Sequence, residues 1–282
     1  MPEVHSVPQR QGAVVARAVS LPSGGRALAK LTGEVLGADV RAIPVGEQET
    51  PVVDGIANRA ALLENRAAQR VALKTRSKVL TIGGDCGVEL EPIRAARERY
   101  GHTLALAWFD AHGDLHTPDT SPSHAFHGMV LRAAMGEGDP DFVADPRIGG
   151  GRTVLLGARS MEPAEREQVW RQTVRYLPVH AARRSTMAGN AVLETGDPDE
   201  VYLHVDLDVL DPAEFDGVSC PTPGGLTVAE LVGSIRAIAA TTPVVGAGIT
   251  ECATDDPEAL RALVPLLEAV GACLGFGAHL GR

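Results

Sequence analysis

The chain has 282 residues, of which 44% are hydrophobic and 4% aromatic, and its formal net charge is −10. This charge argues against nucleic acid or an anionic membrane surface as the main partner, and no apolar run approaches the ~20 residues that a membrane span needs. Because the first residues also lack the charged start and apolar run of a signal peptide, we expect a cytoplasmic protein.

Predicted strands and helices alternate along the chain. Apolar runs typical of strands lie at residues 14–19, 79–81, 104–109, 154–156, 201–205, 244–249 and 272–276. Apolar residues at helical spacing lie between them, at residues 56–74, 88–100, 163–175, 227–239 and 257–270. Residues 136–151 and 185–198 are predicted to be loops. The alternation predicts an α/β fold with a parallel sheet covered on both faces, and we expect a single domain over residues 1–282.

Three polar clusters each follow a predicted strand: GGDC at 83–86, DAHGD at 110–114 and DLDVLDP at 206–212. Asp110, His112 and Asp114 are spaced by two residues, so an extended backbone places them on one face, and the same holds for Asp206 and Asp208. Since ligands of open α/β sheets lie beyond the carboxyl ends of the strands, we expect the clusters to converge.

Several buried carboxylates are unfavourable together unless a positive charge compensates them, and metal ions are the simplest compensation. Oxygen-rich ligation with one imidazole suits Mn²⁺ or another divalent first-row ion. Two such ions can activate a shared water for attack on carbon, so the clusters predict metal-assisted hydrolysis. The alternative is that these acids cap helices or bind surface water.

GGDC, DAHGD and VDLDVLDP resemble the three signatures of the arginase/agmatinase ureohydrolase family, and the resemblance extends from about residue 79 to residue 251. It implies a three-layer α/β/α fold with a roughly eight-stranded parallel sheet. It also implies a site with two Mn²⁺ ions that hydrolyses C–N bonds of a small guanidino amino acid. Family members form trimers, hexamers or monomers, so the resemblance leaves self-association open.

The resemblance also implies six metal ligands. These are Cys86, Asp110, His112, Asp114, Asp206 and Asp208. Asp110 and Asp206 would each bridge the two ions, and Asp114 would also orient the bridging hydroxide. Cys86 departs from the pattern, because the family usually has histidine at this position, in GGDH.

Further residues are assigned by the same resemblance. His127 matches the histidine that relays a proton, and Glu251 matches the acid that holds the substrate guanidinium. Ser123 fits a position that recognises the α-carboxylate, while His116 could line the pocket and Glu165 could contact the ammonium group. A structural role is the alternative for His127, His116 and Glu165.

Cys86 narrows the expected substrate. A metal-bound cysteine is a thiolate, and its negative charge should weaken the first ion as a Lewis acid. GGDC resembles the branch of the family that converts Nω-hydroxy-L-arginine to hydroxyurea and L-ornithine in D-cycloserine biosynthesis, an antibiotic pathway. The alternatives are an arginase, an agmatinase, another guanidino-acid ureohydrolase, or an inactive member that binds a ligand.

Overall fold

The computed structural model describes residues 1–277. Within this range eight strands form one sheet, and they are β1 (Glu3–Val7), β2 (Val40–Ala42), β3 (Val79–Gly83), β4 (Ala105–Phe109), β5 (Thr153–Leu156), β6 (Arg175–Leu177), β7 (Val201–Asp206) and β8 (Val244–Thr250). All neighbouring strands run parallel, in the order β2-β1-β3-β8-β7-β4-β5-β6. The predicted parallel, eight-stranded α/β sheet is confirmed.

The described chain has ten α-helices, eight before the last strand and two after it. They are α1 (Leu21–Leu36), α2 (Arg59–Ala72), α3 (Leu90–Tyr100), α4 (Val130–Ala134), α5 (Pro163–Trp170), α6 (Val179–Ala182), α7 (Ser185–Leu193), α8 (Val228–Thr241), α9 (Pro257–Leu260) and α10 (Val264–Leu274). None of the helices within residues 1–277 combines the length and the apolar character that crossing a membrane requires.

The sheet separates two apolar cores because side chains alternate along each strand. On β4, Ala107 and Phe109 point into a core built with α1, α7, α8 and α10, whereas Leu106 and Trp108 point into a second core with α2, α3 and α4. This gives the three layers that the resemblance implied.

Some predicted elements are wrong. Residues 14–19 form no strand but run into a short 3-10 helix, Ala16–Ser20, and residues 272–276 include the end of α10. The first strand is instead Glu3–Val7, and helix α7 lies within the segment predicted as a loop. The first strand was missed because His5 and Ser6 are polar, although both are buried.

The central strands end at one edge of the sheet, where short turns follow them. After β3, the Asp85 side chain accepts a hydrogen bond from the Gly87 N–H at 2.9 Å and begins the 3-10 helix Cys86–Glu89. After β7, the side chain of Asp206 accepts from the Asp208 N–H at 2.7 Å and begins a second 3-10 helix. These caps turn the chain sharply and hold the polar clusters at the carboxyl ends of the strands.

Candidate metal centre

The DAHGD and DLDVLDP clusters meet because β4 and β7 are neighbours, with Phe109 paired to Val205. His112 Nδ1 lies 2.9 Å from Asp208 Oδ2 and 3.5 Å from Asp110 Oδ1. The Ala111 N–H donates to Asp208 Oδ1 at 3.0 Å, which ties the two loops together. The convergence expected from chain order is therefore observed, and Asp110, His112 and Asp208 present one group of close donor atoms.

Cys86 joins the site from the end of β3. Its Sγ lies 3.1 Å from Asp206 Oδ2, 3.0 Å from Thr250 Oγ1 and 3.6 Å from His204 Nε2. Two further donor groups contain this sulfur, one with Asp110 and His204 and the other with Asp206 and Glu251. Burial, and then the charge of Asp206, raise the pKa of the Cys86 thiol well above its usual value.

The electrostatics of the carboxylates fit a divalent cation. Burial, and then the neighbouring Asp110, raise the pKa of Asp114 well above its usual range, and burial and Asp208 do the same for Asp206. The Asp114 Oδ2 atom is buried and has no hydrogen-bond partner among residues 1–277. Buried polar atoms without a partner are rare, so this oxygen and the repelling carboxylates together fit cation binding.

Glu251 and His127 form a second pair beside the sulfur. The Cys86 N–H donates to Glu251 Oε1 at 3.1 Å, and His127 Nδ1 lies 3.2 Å from the same oxygen. Ser219 donates to Oε2 of Glu251. Burial lowers the pKa of His127 more than any other single effect, but the hydrogen bond to Glu251 and the charges of Glu251 and Asp85 together outweigh it, and the net pKa is raised. The contact with Glu251 therefore favours the protonated form of His127 close to the donor cluster.

The predicted α-carboxylate residue, Ser123, is exposed on the loop that precedes His127. Its Oγ accepts from the Ala125 N–H at 3.3 Å and lies 3.3 Å from Ser121 Oγ. An exposed hydroxyl with only local partners is free to bind a ligand from solvent.

The other two predicted pocket residues, His116 and Glu165, lie close together and are buried. His116 Nε2 is 3.9 Å from Glu165 Oε2 and 3.4 Å from the exposed Glu162. Glu165 Oε2 accepts from the Glu162 N–H at the start of α5, and its Oε1 accepts from the Leu115 N–H. Both oxygens of Glu165 are thus engaged by the backbone, which leaves Glu162 as the more accessible carboxylate.

Sequence reasoning missed four side chains that contact this site. Thr250 and His204 approach Cys86, Ser219 binds Glu251, and the Trp108 Nε1–H donates to Asp110 Oδ2 at 3.0 Å. His204 did carry a signal, because it is one polar residue inside the buried apolar strand VYLHVD.

Comparison with known proteins agrees with this geometry. A model described as the Arginase family matches residues 16–261. The arginase of Bacillus subtilis (strain 168) is 31% identical over 204 residues, which cover 68% of each chain. The arginase of Bacillus caldovelox is 32% identical over 209 residues, covering 68% of this chain and 69% of that one. The crystal structure of Bacillus cereus arginase superimposes with a TM-score of 0.83 at 25% identity, covering 97% of this chain and 98% of that chain.

Proposed function

The chain belongs to the arginase family of hydrolases that act on guanidino C–N bonds, and we propose that it is a dimanganese amidinohydrolase that converts Nω-hydroxy-L-arginine to hydroxyurea and L-ornithine. The observation that carries the proposed substrate is the Cys86 thiol, 3.1 Å from the Asp206 carboxylate. We further propose that this reaction supplies hydroxyurea for D-cycloserine biosynthesis.

We propose six ligands for the two Mn²⁺ ions, all at or just after the ends of the central strands. They are Cys86, Asp110, His112, Asp114, Asp206 and Asp208. When bound, the two ions would supply a hydroxide from water and Lewis acidity toward the guanidine. The unpartnered Asp114 Oδ2 supports this assignment, because a buried carboxylate oxygen needs a positive partner.

The negative charge of a Cys86 thiolate at the metal site is the reason for proposing hydroxyarginine rather than arginine as the substrate. Two divalent ions carry +4, four aspartates −4 and a hydroxide −1, and a thiolate adds a further −1 where a neutral histidine would add nothing. The extra electron density makes the metal ion a weaker Lewis acid. Such a centre favours a substrate whose guanidine carbon is attacked more readily. The hydroxyl of an N-hydroxyguanidine lowers the pKa of the guanidine and so makes it such a substrate.

Side chains around the Cys86 sulfur are suited to binding the guanidine and to proton transfer. Glu251 would accept N–H groups of the guanidine through charge-assisted hydrogen bonds. His127, 3.2 Å from Glu251, would give a proton to the departing ornithine amine. Asp114 would orient the attacking oxygen. Water would add to the guanidine carbon, the bond to the ornithine nitrogen would break, and His127 would give its proton to the departing amine. The proton released from the added hydroxyl, as the carbonyl of hydroxyurea forms, would restore the proton on His127.

We assign the amino-acid end of the substrate to the rim residues. Ser123 would bind the α-carboxylate, with His116 lining the pocket. Glu165 would attract the ammonium group by its charge without contacting it directly, since its carboxylate oxygens accept from backbone N–H groups and Glu162 is the more accessible acid.

Hydrolysis of L-arginine is the second candidate, because the two relatives above are named arginases. An inactive ligand-binding member is the third. Metal analysis distinguishes the third, since two ions per chain together with turnover contradict it, and one ion or none supports it.

The test of the proposed substrate is the Cys86→His variant. It removes the thiolate charge, so the ratio of kcat/KM for L-arginine to kcat/KM for hydroxyarginine should rise about tenfold, equivalent to ~1.4 kcal/mol. Cys252→Ser, which changes another buried cysteine outside the donor groups, should leave the ratio unchanged. An unchanged ratio in Cys86→His would contradict the charge argument.

A further inference from the structure

Two stacked rings lie directly beneath the candidate metal centre. Trp108 on β4 and His204 on β7 are paired in register, with ring centroids 3.5 Å apart and planes inclined by 18°. Both side chains are 0% exposed. The stack fixes the plane of the imidazole, so its two nitrogens have defined neighbours.

Each ring directs a nitrogen at a proposed metal ligand. The Trp108 Nε1–H donates to Asp110 Oδ2 at 3.0 Å, and His204 Nε2 lies 3.6 Å from Cys86 Sγ. A nitrogen and a sulfur at this distance suit an N–H···S hydrogen bond. Strands β4 and β7 thus each place a ring nitrogen against one proposed metal ligand, Asp110 for Trp108 and Cys86 for His204.

The opposite nitrogen of His204 faces a buried acid. His204 Nδ1 is 3.4 Å from Glu89 Oε2 and has no hydrogen-bond partner elsewhere in residues 1–277, whereas Glu89 also faces the Tyr202 hydroxyl. Glu89 occupies the space above Gly248, where a Cβ atom would overlap its carboxylate. Buried polar groups are nearly always hydrogen-bonded, so Glu89 is the natural partner of His204 Nδ1.

The direction of this hydrogen bond follows from the charge of the acid. Burial raises the pKa of Glu89 to about 8 against the opposing effect of the Tyr202 hydroxyl, so the Glu89 carboxyl keeps a proton at neutral pH. A protonated carboxyl donates, and Nδ1 must then accept. The ring proton consequently belongs on Nε2, the nitrogen that faces the sulfur.

We propose that His204 is a positioning residue that donates its Nε2–H to the Cys86 thiolate, with Glu89 donating to its Nδ1. This inference rests on the proposed function in one respect, the binding of Cys86 to metal as a thiolate. The hydrogen bond takes up part of the negative charge on sulfur and holds it in one orientation, as outer partners do for other metal ligands.

The first test uses protein loaded with Co²⁺ in place of manganese, where a bound thiolate gives a sulfur-to-cobalt charge-transfer band. In His204→Leu the band should move to longer wavelength, because sulfur without the hydrogen bond releases electrons more easily. In His204→Gln, whose amide can donate, it should return toward the wild-type position. Trp108→Phe, which removes the N–H to Asp110 but keeps an aromatic ring against His204, should leave the band in place.

The outcomes separate the two claims. A wild-type band that disappears in Cys86→Ser establishes the thiolate ligand, and a wild type without the band overturns both that ligand and this inference. A band present but unmoved in His204→Leu overturns the role of His204 alone.

A second measurement needs no substitution that could unfold the protein. In wild-type protein loaded with Zn²⁺ and labelled with ¹⁵N-histidine, NMR should assign the proton of His204 to Nε2 and leave Nδ1 unprotonated. His204→Gln identifies the resonance by its absence. A proton on Nδ1, or a zinc-bound Nε2, would overturn the proposal.

Discussion

At the scale of single residues, two side chains of the candidate site are held in an unusual backbone conformation. Asp114 and Glu251 have φ values of 51° and 66°, in the left-handed region that favours glycine. Such residues cost ~1–3 kcal/mol each and persist only where the surroundings impose them. Here the conformation directs both carboxylates toward Cys86 and Asp110, which is consistent with a site selected for its chemistry.

Glu89 gives a prediction about pH. Its pKa is raised by burial from 4.5 to about 8, so the folded protein holds a proton that the unfolded chain releases. The stability from this proton is complete below pH 4.5 and is lost as pH rises toward 8. Wild type should therefore lose about 2 kcal/mol relative to Glu89→Gln between pH 6 and pH 8.

Denaturant unfolding of both proteins at the two pH values measures this difference. Because only Glu89 changes between them, contributions from all other titrating groups cancel. A difference in unfolding free energy that is the same at pH 6 and pH 8 would show that Glu89 does not hold this proton.

At the scale of elements, the sequence predicted the central strands better than the edges. Strands β3, β4, β7 and β8 are buried along their whole length, so they appear as continuous apolar runs. The edge strands β2 and β6 have three residues each and are partly exposed, and so carry no such pattern. Helix α7 was missed because its Ser, Gly and Asn residues resemble a loop, although it packs closely against α8.

Gly248 on β8 gives a prediction at this scale. An alanine there would press into the Glu89 carboxylate, since the strand and the start of α3 are packed closely at this point. Gly248→Ala should lower the free energy of unfolding by about 1–3 kcal/mol, visible as a lower Tm.

The matched control for this substitution is Gly151→Ala, where an added Cβ would meet nothing within 4 Å. This control should keep the Tm of wild type. Equal Tm values for the two variants would contradict close packing between Gly248 and Glu89.

At the scale of the whole molecule, the spacing within each motif predicted which acids share a face, and parallel topology predicted that the motifs converge. The spacing within motifs could not predict which side chains of neighbouring strands contact each other. The approach of His204 to Cys86 depends on the order β3-β8-β7 and on the register that pairs Gly248 with His204. Neither the strand order nor the register can be read from one segment of sequence, so the contact of His204 with Cys86 could be found only in the structure.

Removal of metal gives a prediction for the whole fold. Without cations, the buried carboxylates of Asp114 and Asp206 lose their compensating charge, so a chelator should lower the Tm of the loaded protein. With free Mn²⁺ about 100-fold above its Kd, each bound ion should contribute about 3 kcal/mol. Adding Mn²⁺ back should restore the Tm, and a Tm unaffected by chelation would contradict a metal centre at these carboxylates.

The substrate claim is tested most directly by competition in one reaction. Mn²⁺-loaded wild-type protein is given equal concentrations of Nω-hydroxy-L-arginine and L-arginine, and the hydroxyurea and urea released are measured together. At equal substrate concentrations the ratio of the two initial rates equals the ratio of the kcat/KM values. The concentration of active, metal-loaded enzyme therefore cancels from this ratio. We expect an excess of hydroxyurea, and an excess of urea would contradict the proposed substrate.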